Sequence, residues 1–158
     1  MALQFRRVVT GHDETGRAVI KIEEISQNLV SSRPGATASV VWKTQGFPVD
    51  NTGNEDQGRR PTGTTLDNGT VFRVLELAPG ASPRNHRTDS IDYAVVMAGE
   101  IDMELDDTTV HLKAGDVLVQ RGTIHNWVNR GTVPCVIAFV LIAAKPVEVG
   151  GKVLHAQG

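Results

Sequence analysis

The sequence predicts an all-β protein, and three observations carry this prediction. Apolar segments rich in β-branched residues are short and closely spaced, and Gly, Pro, Asn and Asp separate them. This punctuation is typical of a β-barrel or β-sandwich. No segment shows the sustained 3.6-residue periodicity of a long amphipathic helix. A chain of 158 residues is long enough to form one such domain around a single core.

Composition excludes several classes of partner. The net charge is -2 and no basic stripe occurs, since Arg59-Arg60 is only a short solvated pair, so we expect no nucleic acid partner. No apolar run is long enough to span a bilayer and no charged-then-apolar leader opens the chain, so we expect a cytoplasmic protein without a membrane partner. The single cysteine, Cys135, lies in an apolar run and predicts a buried, inert thiol.

The N-terminal part predicts a hairpin, a further strand and a long loop. Residues 7–10 and 17–25 flank a Gly- and Asp-containing turn, which is typical of a β-hairpin. Residues 31–35 are expected to be loop, and 37–44 a strand. Residues 48–68 are polar and rich in Gly, Asn, Asp, Thr and Pro, which leaves open a mobile segment, a lid, or an arm that packs on a partner.

The rest of the chain predicts a series of short strands. The segment 133–142 is almost entirely apolar, so we expect a strand that is buried on both faces. Beyond 146 the tail has no clear pattern. The expected strands cover 71–77, 91–98, 100–105, 109–112, 117–119, 123–128 and 133–142.

Strand alternation assigns the residues around His86 to two opposite faces of one extended segment. If the chain is extended from Asn85 onward, His86, Thr88 and Asp92 lie on one face together with small residues, which leaves room for a ligand. The opposite face is apolar and includes Tyr93. It must be covered by a second sheet, by the N-terminal arm, or by another subunit.

A second histidine is expected on the same cavity. His125, Trp127 and Asn129 share a face, so two imidazoles, a carboxylate and an indole can line one small-molecule pocket. Arg73 and Arg84 are candidates to bind an anionic substrate group bidentately, with a structural or solvated role as the alternative for each.

The spacing of these residues resembles the first sequence motif of the cupin superfamily, Gly-x5-His-x-His-x3-Glu-x6-Gly. Gly80, His86 and Gly99 match the motif. Thr88 replaces its second histidine, and Asp92 replaces its glutamate.

The second cupin motif is matched as well. It runs from a glycine through Pro-x-Gly-x2-His to an asparagine four residues later. Gly115, Gly122, His125 and Asn129 agree with it, whereas Gln120 stands where proline is usual.

The resemblance covers about residues 70 to 142 and implies a single jelly-roll (cupin) β-barrel with an N-terminal β arm. On this basis residues 1–60 are strands and loop packing on the barrel or on a partner subunit, 61–145 are the barrel, and 146–158 are a C-terminal tail. Arm-mediated pairing in cupins, together with the apolar outer face, implies a homodimer.

The resemblance also implies a metal site, with departures. Cupins use three histidines and a glutamate, and this chain keeps His86, His125 and the shorter Asp92, a set suited to Fe, Mn, Ni or Zn. Thr88 is a poor ligand. In the metal-free alternative the same groups perform acid–base chemistry, one imidazole taking a proton while Asp92 orients an imidazole. Both alternatives stay open.

These observations predict a small-molecule enzyme. We expect proton-transfer chemistry of lyase or isomerase type, such as dehydration, cyclisation or decarboxylation, catalysed by His86, Asp92 and His125. The substrate is expected to be small, oxygenated and possibly aromatic, binding at Thr88, Trp127 and Arg73. A metal-dependent cupin dioxygenase and a non-catalytic ligand-binding domain are the alternatives, since fold alone does not determine function.

Overall fold

The computed structural model of the protein describes residues 2–158, and its secondary structure consists entirely of strands. The all-β prediction is therefore confirmed. Within this range no helix is present that could cross a membrane. The thirteen strands formed by residues 2–158 are β1 Arg6–His12, β2 Ala18–Ile25, β3 Leu29–Arg33, β4 Ala36–Gln45, β5 Gly69–Leu77, β6 Ser90–Ala98, β7 Glu100–Glu104, β8 Thr109–Lys113, β9 Val117–Arg121, β10 Asn126–Val128, β11 Cys135–Ala143, β12 Val147–Val149 and β13 Lys152–Leu154.

Two sheets build the jelly roll. The larger has the order β3-β4-β5-β11-β6-β9 and the smaller β10-β7-β8, and all neighbouring strands are antiparallel. Between residues 2 and 158 the two sheets do not join into one closed hydrogen-bonded cylinder. The hydrophobic core draws side chains from both, such as Ile137 of the larger sheet and Ile101 of the smaller, so packing rather than a continuous ladder holds the sheets together.

Strand β11 lies in the middle of the larger sheet and contributes heavily to the core. Cys135, Ile137, Phe139 and Leu141 are buried, while the residues between them are only partly covered. The prediction of burial on both faces is therefore wrong, because only one face of the strand packs against the core. Burial raises the pKa of the Cys135 thiol to about 11, which agrees with an inert thiol.

Two short elements were not expected from the sequence. Residues 31–35 were predicted to be loop, but β3 pairs with β4 from Leu29 opposite Ser39 onward. Gly35 has a φ of +79° and reverses the chain between the two strands. In the tail, β12 and β13 form a hairpin around Gly150 and Gly151, both at positive φ, which is the requirement of a tight hairpin turn.

The N-terminal hairpin β1-β2 is tied to the long loop of the same chain. Arg7, of which 4% is exposed, binds Glu24 at 2.7 Å and Asp56 at 2.6 and 2.8 Å. Lys43 of β4 donates to the main-chain oxygens of Arg60 and Pro61 at 3.1 and 3.0 Å. The segment 48–68 is thus fastened by two buried cations, one on the hairpin and one on the sheet.

The outer face of β6 and β9 is apolar and exposed. Tyr93 lies opposite Val119 and Val95 opposite Val117 in the β6-β9 ladder. Their exposed fractions run from 43% for Val95 to 75% for Val117, and Met97 is 48% exposed. The predicted alternation along β6, with Asp92 and small residues on one face and large apolar side chains on the other, is confirmed. Residues 2–158 leave the outer face open to solvent.

Candidate active site

The two histidines meet through their backbones. The amide of His86 donates to the carbonyl of His125 at 2.9 Å, and the amide of His125 donates to the carbonyl of His86 at 3.0 Å. This reciprocal pair forms an isolated antiparallel bridge outside the named strands. It places the imidazole rings 4.3 Å apart between centroids, tilted by 53°.

Main-chain carbonyls fix the orientation of both rings. The Nδ1 atom of His86 is 3.0 Å from the Arg84 carbonyl, and that of His125 is 2.9 Å from the Thr123 carbonyl. A carbonyl oxygen only accepts, so Nδ1 carries the proton in each neutral ring. The lone pair of each ring is therefore on Nε2, the atom available for a substrate proton or a metal.

The surroundings of the pair favour uncharged imidazoles. Burial lowers the pKa of His86 to about 4, against the opposing effect of the Arg84 carbonyl, and the charges of His125, Arg84 and Arg33 lower it further. Burial also lowers the pKa of His125, as does the charge of Arg84. Both rings are consequently proton acceptors in the resting site.

A row of three hydrogen-bonded side chains lies at the beginning of β6 and just before it. The Thr88 hydroxyl is 2.8 Å from that of Ser90, and the Ser90 hydroxyl donates to Asp92 Oδ1 at 2.6 Å. Asp92 is 4% exposed, and burial raises the pKa of its carboxyl against the smaller opposing effects of Ser90 and Arg73. The expectation that Asp92 orients an imidazole is wrong, because backbone carbonyls hold both rings and Ser90 holds the carboxylate.

These groups line a cavity of about 270 Å³, a size suited to a small organic molecule. Trp127 forms part of its wall, with its ring edge-on to His125 at 5.8 Å and to Phe139 at 5.7 Å between centroids. The predicted residues His86, Thr88, Asp92, His125, Trp127 and Arg73 all line this cavity.

Comparison with known proteins agrees with the motifs. A family model described as a cupin domain matches residues 73–142. The chain is 38% identical over 159 residues to phomopsin biosynthesis cluster protein C' of Diaporthe leptostromiformis, covering 94% of this chain and 83% of that protein. The chain belongs to the cupin family. Over 154 residues this cupin is also 36% identical to the cupin-domain-containing oxidoreductase fogC of Aspergillus ruber, covering 92% of this chain and 76% of that one.

Solved structures support the cupin fold at lower identity. The polyketide cyclase RemF from Streptomyces resistomycificus is similar with a TM-score of 0.50 and 16% identity, over 81% of this chain and 75% of that chain. KdgF from Halomonas sp. has a TM-score of 0.50 and 18% identity, over 73% of this chain and 88% of that chain. At these identities the likeness concerns the fold alone.

The cupin metal set is incomplete in the part of the chain that the structure describes. There, only His86 and His125 bring imidazoles into the cavity, Thr88 stands where the first motif has its second histidine, and Asp92 is bound to Ser90. Among residues 2–158, no group of three or more His, Cys, Asp or Glu side chains is arranged to hold a metal ion. The donor set therefore does not fit the family's centre of three histidines and a glutamate.

Sequence reasoning missed several residues of the cavity and included one that lies elsewhere. Arg33 lines the cavity from β3, and Thr62, Gly63 and Thr64 line it from the long loop, both segments without a motif. Asn129 is not a cavity residue, since its Nδ2 donates to the carbonyls of Leu77 and Val133 at 2.8 and 2.9 Å. It fastens the chain between β10 and β11.

Proposed function

We propose that this cupin is a small-molecule enzyme of secondary metabolism that catalyses a proton-transfer reaction. The names of its relatives, a biosynthesis cluster protein and an oxidoreductase, support a biosynthetic role. The cavity supports a compact substrate. The observation that carries the proposal is the imidazole pair, whose Nδ1 protons bind backbone carbonyls and whose Nε2 lone pairs are left for substrate.

The imidazole pair acts as the general base. Each ring is neutral in the resting site and accepts one substrate proton at Nε2. A proton on one ring disfavours a second on the other, because like charges at a centroid distance of 4.3 Å repel. The pair therefore carries a single proton through the reaction.

Asp92 acts as the general acid. Its raised pKa favours the protonated carboxyl, and the Thr88–Ser90 hydroxyls hold it in place. In a dehydration, Nε2 takes the proton of an acidic C–H bond, and that electron pair forms the C=C bond as the C–O bond breaks. The leaving hydroxide takes the Asp92 proton and departs as water. The imidazolium and the Asp92 carboxylate then exchange a proton through solvent, which restores both groups.

The substrate lies against Trp127, whose buried indole offers an apolar face beside the imidazoles. A flat, oxygenated compound, with or without an aromatic ring, matches this wall. Thr88 and Arg73, which also line the cavity, supply polar contacts.

Deuterium exchange tests the reaction class without knowledge of the natural substrate. The protein is incubated in D2O with a panel of small oxygenated carbonyl compounds, and deuterium incorporation at carbon is followed by mass spectrometry. We expect the His86→Ala and His125→Ala variants to lose about 100-fold or more of the exchange rate. Asp92→Asn should leave exchange measurable while abolishing any water elimination.

The matched control is His111→Ala. This histidine is on β8, with 56% of its side chain exposed, and binds Asp102 and Glu100 at 2.7 and 3.2 Å, away from the cavity. Its loss should leave exchange unchanged. Exchange that survives in both His86→Ala and His125→Ala would contradict the proposal.

A metal-dependent oxidoreductase is the second candidate, and one observation favours it, the oxidoreductase name carried by several relatives. In that case His86 and His125 would supply two ligands and substrate or solvent the others. No step is assigned to a metal, because the described donor set is incomplete.

We further propose that the protein is a homodimer that pairs through the exposed face of β6 and β9. The four adjacent apolar side chains of that ladder support this, since contiguous apolar surface of this kind marks association sites. A two-fold pairing places the same patch on both subunits.

A further inference from the structure

Three arginines line the cavity without a carboxylate side chain as a partner. Arg33, Arg73 and Arg84 come from β3, from β5 and from the segment between β5 and β6. Arg33 and Arg73 bind neutral main-chain carbonyls instead: Arg33 Nε donates to Ser82 at 2.8 Å, and Arg73 Nη2 donates to Gly63 and Thr64 at 2.5 and 3.2 Å. Arg84 Nη2 donates to the main-chain oxygen of Gly158, the last residue, at 3.1 Å.

Two arginines outside the cavity, one buried and one exposed, each pair with two carboxylates. The buried Arg7 has Glu24 and Asp56, which is the expected arrangement for a buried cation. The exposed Arg130 has Asp102 and Glu104. The cavity arginines differ from these two, because no carboxylate side chain among residues 2–158 forms an ion pair with Arg33, Arg73 or Arg84.

The acidic side chain on the cavity wall does not balance these charges. Asp92 is the one carboxylate that lines the cavity, among the residues described, and Ser90 occupies its Oδ1. Burial first, and then the charge of Arg84, lower the pKa values of Arg33 and Arg73. Arg84 has the same effect on His125. Positive charges from three separate segments therefore converge on one small volume.

Arg73 also has an unused donor. Its Nε is buried without a hydrogen-bond partner, while its Nη2 is engaged. Such unpaired N–H groups are uncommon in folded proteins, and among the residues described Arg7 Nε is the other arginine Nε in this condition. A carboxylate oxygen is the acceptor that suits a guanidinium best.

We propose that the cavity selects substrates bearing a carboxylate, which Arg73 binds with electrostatic support from Arg33 and Arg84, while the body of the substrate lies against Trp127. A cavity of about 270 Å³ takes a one-ring acid rather than a large polycyclic one. This inference names the substrate class of the proposed active site and rests on that site.

Ligand titration tests the inference with benzoate and its uncharged isostere benzamide as probes. Dissociation constants are measured by calorimetry. We expect benzoate to bind about tenfold or more tightly than benzamide. The Arg73→Gln variant should lose this preference, and Arg130→Gln, on the surface, should keep it.

Several outcomes would overturn the inference. They are equal affinity for the two probes, no saturable benzoate binding up to its solubility limit, and a preference for benzoate that persists in both Arg73→Gln and Arg33→Gln. If circular dichroism shows that Arg73→Gln is unfolded, Arg84→Gln and Arg33→Gln must each weaken benzoate binding. Histidine-dependent deuterium exchange combined with failed carboxylate binding would reject the substrate class alone and leave the reaction class standing.

Discussion

The folded protein should lose stability in acid through His86 in particular. The pKa of this imidazole falls from 6.5 to about 4 in the folded chain, chiefly because the ring is buried. The folded state therefore binds fewer protons than the unfolded state between these two values. The contribution of His86 to the free energy of unfolding is therefore fully present above pH 6.5, and it is lost as the pH falls from 6.5 to about 4.

The magnitude follows from the same shift. Each pKa unit corresponds to about 1.4 kcal/mol, so His86 should cost about 2 kcal/mol of unfolding free energy near pH 5 and about 3 kcal/mol near pH 4. Such a loss is a large fraction of the stability of a typical domain. His125, whose pKa is also lowered, adds to the effect.

Urea unfolding at a series of pH values measures this term. The buried Trp127 provides a fluorescence signal, and the free energy of unfolding of wild type is compared with that of His86→Gln. The substitution also removes the bond to the Arg84 carbonyl, which adds an offset that does not vary with pH. The pH dependence of the difference in unfolding free energy between wild type and His86→Gln therefore measures the effect of the buried imidazole, and its constant part does not.

The control is again His111→Gln. In the wild type, hydrogen bonds to Asp102 first and then to Glu100 raise the pKa of His111. A raised pKa gives the opposite slope, because the folded state then binds the proton more tightly. If wild type and His86→Gln differ by a constant amount between neutral and acid pH, the assignment of a buried, neutral His86 is refuted.

Two further predictions concern assembly and metal. A Val119→Glu substitution at the centre of the exposed β6-β9 face should convert a dimer to a monomer in light scattering, whereas a monomeric wild type at micromolar concentration would contradict the dimer. Elemental analysis of protein purified without chelator should give less than one equivalent of Fe, Mn, Ni or Zn, because two imidazoles alone hold such ions weakly. One full equivalent that disappears in both His86→Ala and His125→Ala would instead establish the second candidate function.

Much of the fold was predictable because glycine, proline and strand alternation mark it directly. The faces of β6 follow from a period of two, which separates buried Asp92 from exposed Tyr93. Strand β3 escaped prediction because its composition is polar and its strand character comes from pairing with β4. Edge strands of this kind are defined by their neighbours rather than by their own residues.

The histidines and Trp127 were predictable from spacing, but the charge of the cavity was not. Arg33 reaches the cavity because β3 joins the sheet at its edge, a contact between segments distant in sequence. The orientation of both imidazoles depends on backbone carbonyls, which every residue carries and no side-chain pattern reveals. Predicting Asp92 as the orienting group failed for this reason.

The attachment of the long loop limits how far this site can be separated from the N-terminal hairpin. Residues 62–64 form one wall of the cavity and hold the Arg73 guanidinium, and the chain just before them is pinned by Arg7 and Lys43. A jelly roll transplanted without residues 1–60 would keep both histidines yet lose Arg33 and the anchor of that wall. The proposed catalytic groups would be present without the proposed selectivity for a carboxylate. Engineering of this cupin should therefore treat the hairpin, the loop and the barrel as one functional module.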